Sequence, residues 1–141
     1  MAAGPWQFPT AARTALIGAT NLSSDTFSIG LFTSAWSPAA ATTYSTTNEL
    51  PTANGYTQGG ISLGTLDLSG TGPVVVDDAA SPAWTAAGGS LVARYAAVFN
   101  PAGNFLCYCE LNDPSADSTI TDTNSLTVEF NASGLFQVSF A

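Results

Sequence analysis

Apolar residues recur at every second position over short runs of this chain, and clusters of turn-forming residues separate the runs. Phe27, Ile29 and Leu31 alternate with Thr26, Ser28 and Gly30, the period of a strand with one buried face. Leu126, Val128 and Phe130 alternate with Thr127 and Glu129, and Phe136, Val138 and Phe140 with Gln137 and Ser139. Further strands are predicted at residues 61–68, interrupted by Gly64 as at a bulge, at 74–77 after Gly72-Pro73, and at 83–86 around Trp84. Residues 90–99 and 105–111 are apolar on both faces and flank Asn100-Pro101-Ala102-Gly103, a turn by composition. They predict a central hairpin. Residues 34–47, with the glycine-bearing stretch that follows to Gly60, read as a long surface loop, and 112–124 as an acidic one. Only 11–19, Ala-rich with Leu16 and Ile17 and closed by Gly18, predicts a helix. The pattern is that of an all-β chain, an antiparallel β-sandwich or jelly roll of about eight strands with one short N-terminal helix.

Residues 1–10 stand apart. Trp6 and Phe8 lie among Pro5 and Pro9, a composition that neither starts a helix nor joins a sheet centrally. The segment reads as an arm, either folded back on its own domain or docked on a neighbouring subunit. Residues 11–141 then form a single sandwich domain, of a size that buries a core without metals or disulfides.

Composition narrows the partners. Charged residues are 9% of the chain, and only Arg13 and Arg94 are basic, giving a net charge of −8. Nucleic acid and anionic membrane are poor partners for such a chain, because both are bound through clusters of Lys and Arg. Its polar surface has to be built from Ser, Thr, Asn and Gly, which suits burial against neighbours in an assembly. Residues 1–10 lack a charged start and a continuous apolar run, so no signal peptide is expected, and no apolar stretch is long enough to span a membrane. The protein is expected in a reducing interior or exported inside something else. The sequons at Asn21 and Asn131 then count as chance matches.

Candidate chemistry is sparse. The chain has no His and no Lys, which removes the usual general base, the Schiff base and most transition-metal sites. Cys107 and Cys109 are two apart in a strand, so a bond between them would be strained, and they are expected as free apolar thiols. Asp77 with Asp78, or Glu110 with Asp67, are carboxylate pairs whose spacing is that of ordinary surface acids. Asp113, Asp117 and Asp122 lack the spacing of a calcium loop. Gly59-Gly60 and Gly70-Thr71-Gly72 are turn glycines, since no helix follows to make a phosphate cradle. Arg94 falls in phase with Val92, Ala96 and Val98 in an apolar run, so a buried ion pair with Glu110, or with Asp77, is expected. No catalytic, cofactor-binding or metal-binding residue emerges.

Asn21-Leu22-Ser23-Ser24-Asp25-Thr26-Phe27, running on to Ile29-Gly30-Leu31-Phe32-Thr33-Ser34, resembles a small virion protein widespread in tailed bacteriophages. The resemblance continues through Asn48-Glu49-Leu50, Gly55-Tyr56-Thr57-Gln58-Gly59-Gly60 and Trp84-Thr85-Ala86-Ala87-Gly88-Gly89-Ser90-Leu91-Val92-Ala93-Arg94-Tyr95-Ala96. The segment 1–10 and Cys107-Tyr108-Cys109 depart from it. It implies a structural, non-enzymatic virion protein made in the host cytoplasm, with no catalytic residues to carry over. The expected role is capsid decoration or cement, as a homo-oligomer, trimer favoured, set on the major capsid protein. Trp6 and Phe8 would then anchor it to the shell or to a sister subunit. A tail, baseplate or fibre-attachment component is the alternative within the virion. A glycan-binding module is the alternative of another class, with Trp36, Tyr44 or Tyr56 stacking on a sugar.

Overall fold

The computed structural model describes residues 3–9, 21–69, 74–77, 81–130 and 134–138. The expected helix at 11–19, Asp78, and the glycines Gly70 and Gly72 lie outside them.

The fold is all-β and antiparallel. β1 (Phe27–Phe32) pairs with β2 (Ile61–Gly64) on one side and β7 (Tyr95–Phe99) on the other, and β8 (Phe105–Glu110) pairs with β7. These make a four-stranded sheet in the order β2-β1-β7-β8. β3 (Asp67–Ser69), β4 (Val74–Asp77) and β11 (Phe136–Val138) form a second sheet with β4 in the middle. β5 (Ala83–Thr85) pairs with β10 (Ser125–Thr127), and β6 (Leu91–Ala93) with β9 (Ser118–Ile120).

Eleven strands among the described residues, against about eight expected, come from three local differences. The run at 61–68 divides after Gly64, whose φ is +74°, into β2 and β3. The run at 90–99 divides at Arg94, so that β6 leaves for a different partner while β7 stays in the large sheet. The acidic loop contains β9, whose Ser118 and Ile120 are buried around exposed Thr119. The predicted hairpin is β7–β8, with Tyr95 opposite Glu110 and Val98 opposite Cys107. β8 lies last in the strand order rather than centrally.

Beyond its half-exposed edge strand β2, the large sheet is largely buried on both faces. One face carries Phe27, Ile29, Leu31, Ala96, Val98, Cys107 and Cys109, and packs with Trp84, Ala86, Leu91, Ala93, Ile120, Val128 and Leu135 of the other sheets and their flanks. This is the sandwich core. The other face carries Phe32, Ala97, Phe99 and Phe105 and is covered by Trp36, Ala41 and Tyr44 from the long loop. A register shift between Val98 and Phe99 sets Phe105 opposite Phe99 and places both on this second face. All six residues of β1 are therefore buried, contrary to the single buried face that its alternation predicts. Ser28 and Gly30 are small because a second layer packs over them, not because they meet water.

Candidate functional site

Two arrangements on the large sheet bear on function: the arm along its β8 edge and the loop clamped over its second face. The arm adds a short strand to β8. Gln7 N–H donates to Tyr108 O at 2.6 Å and Tyr108 N–H donates to Gln7 O at 2.8 Å. In that antiparallel register Pro5 would stand opposite Glu110, but proline has no N–H to give. Gly4 N–H donates to Glu110 O instead, at 2.8 Å. The side chains follow, with Tyr108 O–H donating to Gln7 Oε1 at 3.1 Å. Trp6, half-buried, meets the Phe130 ring at 5.6 Å and borders a groove of about 790 Å³ that Leu111, Leu126 and Val128 also line. Phe8 is half-buried and Pro9 buried. Within a single copy the arm lies on its own β8 edge. Its pairing with a sheet edge is hard to read from the sequence because proline at two positions masks strand character; Gln7 between two aromatics is the one alternating signal.

The loop is anchored by Glu49, a carboxylate only 4% exposed. Beyond Ile29, β1 loses β2 as a neighbour, and the segment at 48–50 replaces it: Thr33 N–H donates to Asn48 O and Leu50 N–H to Leu31 O. The Leu31 N–H finds the Tyr56 hydroxyl at 3.0 Å. Tyr56 O–H donates in turn to Glu49 Oε1 at 2.6 Å, Tyr44 O–H to Glu49 Oε2 at 2.6 Å, and Gly59 N–H to Oε1 at 2.8 Å. Both phenols are pushed above their ordinary range, first by burial and then by the bond to Glu49. Glu49 has no place in the expected site. Its signal was a lone acid beside Leu50 and Pro51 in an otherwise uncharged loop.

The aromatic residues expected to meet partners are mostly packed inward. Trp36 is 6% exposed, with ring contacts to Phe32, Phe105, Tyr95 and Tyr108 at 5.0–5.5 Å. Tyr56 is 2% exposed. Tyr44 is half-buried and stacks flat on Phe99 at 3.9 Å. Within this chain, Trp36 and Tyr56 do not present a ring to a ligand, which corrects their expected role.

The expected ion pair is also corrected. Arg94 Nε meets Asp117 Oδ1 at 2.8 Å, not Glu110, with the two side chains 29% and 42% exposed. The chain breaks strand at Arg94, where Arg94 N–H donates to Phe32 O and Arg94 O accepts from Leu111 N–H. Val92 before it is exposed and Ala96 after it buried, so the period does not carry through Arg94. Its guanidinium leaves the sheet toward the acidic loop.

Among the described residues no group of three or more His, Cys, Asp or Glu could hold a metal ion, and no helix is long and apolar enough to cross a membrane. Asp122 is engaged by Gly88 N–H at 2.9 Å. Cys107 and Cys109 are buried and form no disulfide. Burial pushes the Cys107 thiol well up and Cys109 to about 12, so neither is a ready thiolate nucleophile. No protein-family model, no characterised protein and no solved structure matches the chain.

Proposed function

We propose that this chain is a structural, non-enzymatic protein of a tailed-bacteriophage virion, and that it decorates and cements the shell of major capsid protein. The observation that carries this reading is a charge-poor surface of strands and loops faced with hydroxyl and small side chains. Asp67, Leu68 and Ser69 are all exposed in β3, and Leu68 and Val92 are large apolar residues at 42% and 45% exposure. Thr85 and Ser125, on the paired strands β5 and β10, are exposed and share a hydroxyl bond of 2.7 Å. Covering hydroxyls costs less than covering charges, and hydroxyls can re-form hydrogen bonds across the contact, whereas charges would have to be desolvated or paired.

The residues of the phage resemblance act here as joints. Asn21 and Asp25 close the turn before β1, Asn21 N–H donating to Asp25 Oδ2 at 2.9 Å. Asn54, just before the Gly55-Tyr56 stretch and not itself part of the resemblance, donates through Nδ2 to Ser90 O and accepts from Ala87 N–H, tying that stretch to the Trp84-to-Ser90 one. A motif spent on architecture fits a structural protein better than an enzyme. The glycan-binding alternative loses two of its three rings to burial.

The test is stoichiometry, measured by quantitative mass spectrometry on purified particles of the encoding phage. Abundance comparable to the major capsid protein supports the cement role. Abundance of a single ring moves the protein to the tail, baseplate or fibre attachment, and absence from particles ends the virion reading.

A further inference from the structure

We propose that the arm is exchanged between copies of this chain, the β8 edge of one copy seating residues 4–9 of its neighbour. This goes beyond the virion reading and does not depend on it. The seat is a sheet edge: without the arm, Tyr108 N–H, Tyr108 O and Glu110 O lose the partners they have in Gln7 and Gly4. A bare edge of this kind recruits another strand. Among the bonds that fill it are backbone bonds between Gly4 or Gln7 and β8 and the Tyr108 hydroxyl bond to Gln7, together with the Trp6–Phe130 contact, and these are the same whichever copy supplies the arm.

The arm is shaped to dock on such a seat in either copy. Pro5 and Pro9 have no N–H to give, so the pairing with β8 runs through Gly4 and Gln7. Off the seat, the same prolines keep φ near −65° and the arm extended, so less entropy is lost on docking. Passed from each copy to the next, the arm closes a ring, a head-to-tail arrangement compatible with a trimer.

The structure supplies a cross-link that reads the exchange directly. A Cβ built on Gly4 lies 3.6 Å from Glu110 Cβ, within the span of about 3.5–4.5 Å that a disulfide takes. Two chains would be co-expressed, Gly4→Cys carrying a size tag and Glu110→Cys without one, then oxidised and run on a non-reducing denaturing gel. Exchange shifts the chains into a tagged–untagged dimer that neither variant forms when expressed alone. The Gly4→Cys/Glu110→Cys double variant is the second measurement. If it closes within one chain while the co-expressed pair stays monomeric, the arm serves its own copy and the proposal is overturned. If neither sample cross-links, the arm does not occupy β8 and the proposal is overturned as well.

Discussion

Glu49 shows what one side chain does when a sheet loses a neighbour. Where β2 stops pairing with β1, the Tyr56 hydroxyl accepts the Leu31 N–H and donates its own O–H to Glu49, which Tyr44 and Gly59 also engage. We expect Tyr56→Phe to cost about 1–3 kcal/mol, because it strips an acceptor from a buried amide and a donor from a buried carboxylate. Tyr44→Phe, at a half-buried site that water can reach, should cost less; urea unfolding of both variants checks the order. Gly30 leaves the room for this cluster, since a Cβ there would stand 2.9 Å from the Tyr56 hydroxyl and 3.0 Å from Glu49 Oε1. The adjacent glycines of the loop separate two costs that usually come together. Both have positive φ, +95° at Gly59 and +66° at Gly60, but a Cβ on Gly59 meets open space while one on Gly60 collides with the Ile29 carbonyl. We expect Gly59→Ala to lose about 1–2 kcal/mol from backbone strain alone, and Gly60→Ala to lose on the order of 3 kcal/mol or more, or to fail to fold. Equal losses at the two positions would mean that the loop does not lie against β1.

At the scale of elements, the strands that read clearly from the sequence are those with turn residues at both ends and one dominant period, such as β1 and the β7–β8 hairpin. What period cannot show is a second covering layer: Ser28 and Gly30 imitate a wet face, yet both are buried, Gly30 under Tyr56, Glu49 and Phe99. Nor does composition reveal a strand of three residues in an acidic loop, because β9 owes its place to pairing with β6, where Leu91 faces Ile120. The arm was legible as a separate segment but not as a strand, since its pairing rests on Gly4 substituting for the N–H that Pro5 lacks. Arg94 is the instructive failure. Its apolar neighbours suggested a buried ion pair, whereas the strand break between β6 and β7 delivers it to Asp117 at the surface. The two placements differ measurably. We expect Arg94→Gln to change stability by less than about 1 kcal/mol, as for an exposed pair, where stripping a buried pair of one partner would cost about 3–5 kcal/mol.

For the whole molecule, ten acids face two arginines, so like-charge repulsion outweighs attraction and the folded chain should gain stability with salt. We expect the urea midpoint to rise between about 0.01 M and about 1 M NaCl, as the screening length falls from about 30 Å to about 3 Å. A falling midpoint would point to attractive pairs that matter more than Arg94–Asp117. The response to alkali has a different origin. Cys107, Cys109, Tyr44, Tyr56 and Tyr108 all have acidities weakened first by burial, from ordinary values of 9.0 for the thiols and 10.0 for the phenols. The folded chain therefore holds these protons after the unfolded chain has released them. Above the ordinary values the unfolded state binds fewer protons, so stability falls as pH rises; below them both states are protonated and these groups contribute their stabilisation in full. We expect unfolding curves in reducing buffer to show stability unaffected by these groups up to about pH 8.5, then a progressive decline that is still under way at about pH 11. The thiols and phenols can be told apart by where the decline starts. Replacing Cys107 and Cys109 together by Ala removes the groups that release protons first, so the onset should move up toward about pH 10 while the steeper tyrosine-driven part remains. An onset that does not move would mean that the β8 thiols are not held in the dry face of the sheet.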